Sequence, residues 1–255
     1  MALPRIRLLP IPSCRPSLPS RSKPRLFALV AVRNEMPLLP GFVANVAPHV
    51  EAIVALDDGS RDGSGDFLAE RPEVVELLSV PADRPEWDEM GNHRALVEAA
   101  RGHGAEWALC IDADERLERD FRARAERIIR RGRLVGCSAF AVRFRELWDG
   151  PDRFRADGIW GRKNTPRLFR LRPDHEFDTA LLHGIKAPLQ ARPHRLADLF
   201  IYHLGMLTPV DREARRARYE LADPDARWQS IGYAYLTDER RLRLARVPHR
   251  RRWLE

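Results

Sequence analysis

The chain has 255 residues, of which 44% are hydrophobic, and this length suffices for one α/β domain with a large core. The net charge of +7 indicates a basic surface that can attract nucleotides, membrane headgroups or nucleic acid, so charge alone does not choose among these partners. The three cysteines have no paired metal spacing and no disulfide framework, which argues against a zinc module or a disulfide-stabilised secreted protein.

Residues 1–24 are predicted to form a mobile tail, because they contain six prolines and no long apolar run. The apolar run Leu8–Ile11 is too short for a secretory signal. No stretch of the chain approaches the roughly 18 apolar residues that are needed to span a bilayer. We therefore expect a cytoplasmic protein, for which peripheral contact with the inner face of a membrane stays open.

Two apolar strands are predicted next along the chain. Leu26–Val32 is followed by Arg-Asn-Glu at residues 33–35, and a helix can begin at about Leu38. Val50–Leu56 is followed by Asp-Asp-Gly-Ser-Arg-Asp-Gly-Ser at residues 57–64, which is the turn chemistry expected after a strand. A plain tight turn is the alternative for this second segment, since Asp, Gly and Ser form turns in any protein.

A third strand is predicted to bring two carboxylates to one site. The run Ala108–Ile111 is followed by Asp112, Ala113 and Asp114. Alternation along an extended chain sends residues i and i+2 to the same side, and the small Ala113 leaves room beside the two acids. Carboxylate oxygens suit Mg²⁺ or Mn²⁺ and, together with the metal, a substrate phosphate.

Apolar strands that alternate with helices predict an α/β fold with a mostly parallel sheet flanked by helices. The carboxyl edge of such a sheet collects functional groups, so the polar ends of the three strands should converge in one crevice. One helix is predicted before the third strand, where Leu96, Ala99 and Ala100 form an apolar face and Gly102 provides a stop.

Three motifs together resemble one enzyme family. Val-Arg-Asn-Glu at 32–35, the acidic turn at 57–64 and Asp-Ala-Asp-Glu at 112–115 occur in the order and at the separations typical of family 2 glycosyltransferases, which have the GT-A fold. The resemblance covers roughly residues 25–205. It implies transfer of a sugar from a nucleotide-diphosphate sugar to a hydroxyl of a glycan or lipid-linked acceptor, usually with inversion, and with Mn²⁺ or Mg²⁺ as cofactor.

The resemblance also implies roles for individual residues. Asp114 is the expected direct metal ligand, and Asp112 is expected near the metal or the ribose. Asp57 or Asp58 would reach the base or the ribose. The nucleotide pocket would be lined by Val32, Arg33 and Glu35, with further donor contacts from Asn92 and Arg94. Solvent exposure is the alternative for Arg94.

Inverting transfer needs a general base that takes the proton from the acceptor hydroxyl. Arg-Leu-Phe-Arg at residues 167–170 resembles a segment of the family, but Gly184 stands where the family commonly has Glu. The candidates for the base are therefore, in order, Asp178, Glu176 and His183. A solvated hairpin tip is the alternative for Glu176.

A histidine near the end of the matching region is a further candidate. His203 follows the apolar run Leu199–Tyr202 and precedes Leu-Gly, which resembles a His-hydrophobic-Gly element of the family. It could complete the metal shell or touch the diphosphate, and a satisfied core histidine is the alternative. The catalytic domain is thus predicted to cover residues 25–208.

Residues 209–255 are predicted to form a small helical and basic extension. A helix is expected over Asp211–Leu221, followed by the aromatic and apolar segment Trp228–Leu236. Seven arginines lie between residues 240 and 252, and a solvated basic helix is the simplest account of them. The extension could pack under the catalytic domain, cover the acceptor site or meet a membrane surface.

Two other functions compete with sugar transfer. A sugar nucleotidyltransferase would need a glycine-rich, lysine-bearing phosphate loop near the N-terminus, and residues 25–40 do not provide one. A non-catalytic nucleic-acid-binding module would explain the arginine excess, but it would require that nucleic acid still bind after loss of the acidic cluster and that no donor nucleotide bind. Nucleic acid is not the expected partner.

Overall fold

A computed structural model describes residues 23–84, 88–180, 184–191 and 194–253, so nearly all of the predicted N-terminal tail lies outside the described residues. The strands are β1 (Leu26–Val32), β2 (Ala52–Asp57), β3 (Val74–Ser79), β4 (Trp107–Cys110), β5 (Glu115–Leu117), β6 (Ala139–Glu146), β7 (Arg153–Arg155), β8 (Asn164–Arg170), β9 (Arg195–His203) and β10 (Leu244–Arg246). The α-helices are α1 (Leu39–Val46), α2 (Ser64–Ala69), α3 (Glu89–Gly102), α4 (Phe121–Leu134) and α5 (Pro209–Ala222).

Eight of these strands form one sheet in the order β3-β2-β1-β4-β8-β6-β9-β5. The pairs β1–β2, β1–β4, β2–β3 and β6–β9 are parallel, whereas β4–β8, β6–β8 and β5–β9 are antiparallel. The predicted mostly parallel α/β sheet is confirmed. The edge strand β3 was not predicted. Its side chains are only half-buried, and its sequence therefore has only a weak apolar run.

The sheet is covered by helices on both faces, which explains why its central strands are apolar throughout. Along β1, Leu26, Ala28, Val30 and Val32 belong to one core cluster together with residues of α1 and α4. Phe27 and Leu29 belong to a second cluster that includes residues of α3. Alternate side chains of one strand thus enter two cores, and the strand ends are fixed at a common edge.

The C-terminal part departs from its prediction. Residues 240–252 do not form a basic helix, and that expectation is wrong. They form β10, which pairs with β7, and a short 3-10 turn at His249–Arg251. Strand pairing and ion pairs explain the difference, because Val247 is buried and Arg251 pairs with the fully buried Glu118. None of the helices in the described part of the chain has both the length and the apolar character that crossing a bilayer requires.

Candidate functional site

The loop after β2 folds over the residues that follow β1. The backbone N–H of Asn34 donates to Oγ of Ser60 at 2.9 Å, and that of Glu35 donates to Oγ of Ser64 at 3.0 Å. The N–H of Met36 donates to Oδ2 of Asp62 at 3.0 Å. Much of the acidic turn at 57–64 therefore serves to hold residues 34–36 in place at the sheet edge.

Gly59 is required by the shape of this loop. Its φ of +72° lies in the left-handed region, which side chains with a Cβ rarely adopt. A Cβ at this position would also lie 2.5 Å from Cα of Ala82. The loop can approach the segment that follows β3 only because residue 59 has no side chain.

Asp58 and Asn92 are brought together by an arginine. Nη1 of Arg84 lies 3.5 Å from Oδ1 of Asp58 and donates to Oδ1 of Asn92 at 2.8 Å. Both Asp58 and Asn92 are buried. Asp57 instead accepts from the backbone N–H of Ser60 at 3.0 Å, which makes it part of the turn. Of these two acids, Asp58 is the one linked to the start of α3.

Three carboxylates cluster after β4. One oxygen from each of Asp112, Asp114 and Glu115 can be chosen such that all three lie within 4.8 Å of one another. Glu115 is fully buried, accepts from the backbone N–H of Asp112 at 3.0 Å and pairs with Arg167 at 2.9 Å. Burial raises the pKa of Glu115, although Arg167 opposes the shift. Glu115 thus anchors the segment that presents the two aspartates.

Asp112 is neutralised by two cations from other elements. Nη2 of Arg167 donates to its Oδ2 at 3.1 Å, and Nζ of Lys186 donates to its Oδ1 at 2.9 Å. Burial by itself would raise the pKa of Asp112, but Arg167 and Lys186 outweigh burial and hold that pKa well below its ordinary value. Asp112 is therefore ionised at neutral pH.

Asp114 belongs to a second charged network. Its Oδ2 lies 2.8 Å from Nε2 of His203 and 3.3 Å from Nη1 of Arg215, which belongs to α5. The other ring nitrogen of His203 faces Glu146, which also pairs with Lys163. Burial would lower the pKa of His203, but Asp114 and Glu146 outweigh it and raise that pKa to about 9. The ring is thus a cation that bridges two carboxylates at neutral pH.

The predicted metal role of His203 stays a prediction. Both of its nitrogens are engaged by carboxylates, so ligation would require Nε2 to release a proton and turn its lone pair to the metal. Leu204 and Gly205 fix the approach of this residue to Asp114. The N–H of Leu204 donates to the carbonyl of Asp114 at 2.7 Å, and a Cβ on Gly205 would collide with the Asp114 carboxylate.

Glu35 lies beside the acidic cluster. Burial first, and then the charge of Asp114, raise its pKa to about 7, while Arg218 and Arg215 act in the opposite direction. The other two residues predicted for the nucleotide pocket differ from Glu35 in burial: Val32 is buried in the core and Arg33 is exposed. The polar ends of β1 and β4 therefore converge as the sequence predicted. Within the first motif, Glu35 is the residue whose pKa the acidic cluster raises.

The role of the predicted bases stays a prediction. Glu176 and Asp178 line a cavity of about 540 Å³ together with Arg94. The Asp178 carboxylate accepts from the backbone N–H groups of Ala180 at 3.0 Å and Ile185 at 3.2 Å, and Glu176 is exposed. Arg94 donates to the carbonyl of Asp178 at 3.0 Å. His183 lies outside the described residues.

The structure brings charged residues to the site that sequence reasoning did not single out, among them Glu146, Arg167, Lys186 and Arg215. Glu146 could have been found, because it ends strand β6, and strand ends had already pointed to the other acids. Arg167 was noted only as part of the Arg-Leu-Phe-Arg motif and was given no role in the site. Lys186 and Arg215 carry no sequence signal, since only the tertiary fold brings them to Asp112 and Asp114.

No family model matches the chain. It is 25% identical over 245 residues to the uncharacterized proteins Rv3786c of Mycobacterium tuberculosis and Mb3815c of Mycobacterium bovis, with 89% of this chain and 59% of each relative covered. The chain thus spans less than two thirds of the length of these curated relatives.

Among solved structures, S. aureus TarS 1–349 superposes with a TM-score of 0.50 and 13% identity, over 84% of this chain and 70% of that chain. The mannosyltransferase PcManGT from Pyrobaculum calidifontis, in complex with GDP-Man and Mn²⁺, superposes with a TM-score of 0.48 and 15% identity, over 85% of this chain and 70% of that chain. The chain has a mixed α/β fold, with a mostly parallel eight-stranded sheet flanked by helices, that is similar to the fold of TarS 1–349.

Proposed function

We propose that this chain is a glycosyltransferase that moves a sugar from a nucleotide-diphosphate sugar to a hydroxyl of a glycan or lipid-linked acceptor, with inversion and with a divalent metal. The observation that carries the proposal is the cluster of Asp112, Asp114 and Glu115 beside Glu35, at the edge where β1 and β4 end. Acids at the carboxyl edge of a GT-A-type sheet are where a nucleotide donor would meet a metal.

The donor set fits Mn²⁺ or Mg²⁺, because carboxylate oxygens are the ligands that hard divalent cations prefer. Asp114 and Asp112 would hold the ion, and Glu115 would orient them through Arg167 and the Asp112 N–H. When bound, the ion would offset the negative charge that grows on the departing diphosphate. A place for His203 in the metal shell belongs to the same proposal.

The protein's own cations would help to retain the diphosphate. Lys186 and Arg215 already lie against Asp112 and Asp114, so a phosphate at the metal would find two positive groups within reach. The group of Asp58, Arg84 and Asn92 offers a carboxylate and an amide for the ribose or base. The general base belongs to the proposal through Asp178, Glu176 and His183, in that order.

The test is thermal stability against UDP-, GDP- and dTDP-sugars, with and without Mn²⁺. A specific donor at 100 times its Kd should stabilise the protein by about 2.7 kcal/mol through mass action. Asp114→Asn should remove the Mn²⁺-dependent part of the shift and the slow Mn²⁺-dependent hydrolysis of the donor. Asp225→Asn is the matched control, because Asp225 forms only an exposed ion pair with Arg227. If none of these sugars shifts the melting temperature, the proposal fails.

A further inference from the structure

A large cavity adjoins the charged network around Asp114. It has a volume of about 740 Å³ and lies between residues 158–164, helix α5 and residues 229–236. Volumes of this size are typical of sites that enclose a small organic ligand. The C-terminal part of the chain forms much of its wall, so this part helps to shape the site.

The wall combines aromatic faces with polar groups. Tyr219 and Tyr233 stack with ring centroids 5.2 Å apart, and Tyr235 packs on Trp160 at 5.7 Å. Tyr235 is half-buried, and its hydroxyl accepts a hydrogen bond from Nε2 of Gln229 at 3.3 Å. Sugar rings present apolar C–H faces and a rim of hydroxyls, so aromatic rings beside amide and charged groups match both parts of a sugar.

The inner end of the cavity reaches the acidic site. Glu146 and Arg215 line the cavity. Both also belong to the network around Asp114, because Glu146 pairs with His203 and Arg215 lies 3.3 Å from the Asp114 carboxylate. A ligand that fills the cavity would therefore have one end next to the side chains that hold Asp114.

The donor nucleotide is expected on the opposite side. Asp58 follows β2 and Glu146 ends β6, and these strands are four positions apart in the sheet. At about 4.8 Å per strand, the two residues are separated by about 19 Å across the sheet. One site at each end, with Asp112 and Asp114 between them, suits a reaction between two substrates.

We propose that the cavity lined by Trp160, Lys163, Gln229, Tyr235, Glu146 and Arg215, hereafter the acceptor cavity, binds a saccharide that presents its hydroxyl toward Asp114. A ring of this saccharide lies against Tyr235, and Gln229 and Lys163 contact its hydroxyls. This inference rests on the proposed function, since it assigns the second substrate of the same reaction. The nucleotide part of the donor does not enter the cavity.

The test measures binding of the labelled, full-length protein to a printed array of mono- and disaccharide glycosides. Tyr235→Ala should reduce binding to the glycosides that the wild type selects by about tenfold or more, whereas Tyr235→Phe should retain it because the ring remains. Trp228→Ala is the matched control, since Trp228 is a partly exposed aromatic in the same segment that does not line the cavity. Thermal shifts with the donor and Mn²⁺ are measured in parallel on all variants.

The outcomes separate the two proposals. Loss of glycoside binding in Tyr235→Ala, with an unchanged donor shift, supports the acceptor cavity. Equal binding by the wild type and Tyr235→Ala, or binding of no glycoside by the wild type, overturns it even when the donor shift is intact. A weaker donor shift in Tyr235→Ala also overturns it, because the cavity would then hold the donor. Absence of any donor shift in the wild type contradicts the proposed function instead.

Discussion

Nε2 of His203 lies 2.8 Å from Oδ2 of Asp114, so the candidate metal ligand is held by a buried imidazolium. If the ring turned away, Asp114 and Glu146 would each lose one ion pair, since both of its nitrogens face carboxylates. Asp114 is therefore fixed in position before any ligand arrives. Preorganisation of this kind lowers the cost of assembling a metal site.

Because of this contact, the free energy of unfolding should fall as the pH becomes alkaline. The pKa of His203 is raised from its ordinary value near 6.5 to about 9, so the folded state holds a proton that the unfolded state releases earlier. The stabilisation is complete below pH 6.5 and is lost as the pH rises through about 9. Its upper limit is about 3 kcal/mol, from 1.36 kcal/mol per pKa unit.

Urea unfolding of the wild type and His203→Gln between pH 6 and pH 10 measures this effect. We expect the difference in unfolding free energy between the two proteins to shrink as the pH rises. His249→Gln is the control, because His249 lies in the exposed turn near the C-terminus. A constant difference across this range would contradict the bridging role of the imidazolium.

Gly205→Ala should impair the acidic site more than the fold. A Cβ at residue 205 would collide with the Asp114 carboxylate and approach Nη1 of Arg215, so both side chains must move. Misplacement by about 1 Å can cost about 100-fold in rate, and we expect a loss of that order in Mn²⁺-dependent donor hydrolysis.

Gly102→Ala is the matched control for this substitution. A Cβ on Gly102, the last residue of α3, would meet no atom within 4 Å, and alanine should leave hydrolysis unchanged while stabilising the helix by about 0.5 kcal/mol. Hydrolysis by Gly205→Ala at the wild-type rate would show that Asp114 need not be held in this position.

Gly59→Ala and Gly63→Ala separate backbone strain from steric contact. Both glycines have positive φ, at +72° and +89°, but a Cβ on Gly63 would meet nothing within 4 Å, whereas one on Gly59 would meet Cα of Ala82. Strain alone should make Gly63→Ala less stable by about 1 kcal/mol, and Gly59→Ala should lose about 3 kcal/mol. Equal losses in chemical denaturation would mean that the loop can move away from Ala82.

Arg84→Ala tests the link between Asp58 and Asn92. Its removal leaves the buried Asp58 without this ion pair and frees the Asn92 amide oxygen. We expect the Kd for the donor to rise about tenfold, which corresponds to about 1.4 kcal/mol, with Mn²⁺ binding unchanged. Isothermal titration of donor and of Mn²⁺ measures both quantities. Arg227→Ala, which breaks an exposed pair with Asp225, should leave both unchanged.

The strands that position the site were predictable because they are buried on both faces. The range 26–32 was correct at both ends, and residues 112–115 were placed after a strand as the structure has them. Strand periodicity and the carboxyl-edge rule together sufficed to bring Glu35 near the acids. These inferences needed only local sequence and the geometry of parallel sheets.

The remainder depended on long-range contacts that leave no local pattern. Arg215 meets Asp114 across 101 positions of sequence, and Lys186 meets Asp112 across 74. The arginines of residues 240–252 looked like a solvated helix because their partners, such as Glu118, lie far away in sequence. Charge pairing of this kind is set by the tertiary fold, so composition and periodicity cannot predict it.

The hydroxyl and carboxylate contacts that hold residues 34–36 give the acidic turn at 57–64 a structural role that does not depend on any substrate. A related protein without enzymatic activity would still need those side chains to keep the edge of its sheet intact. The presence of this motif in a sequence therefore indicates the fold and not the activity. A search for active enzymes should give more weight to Asp112 and Asp114.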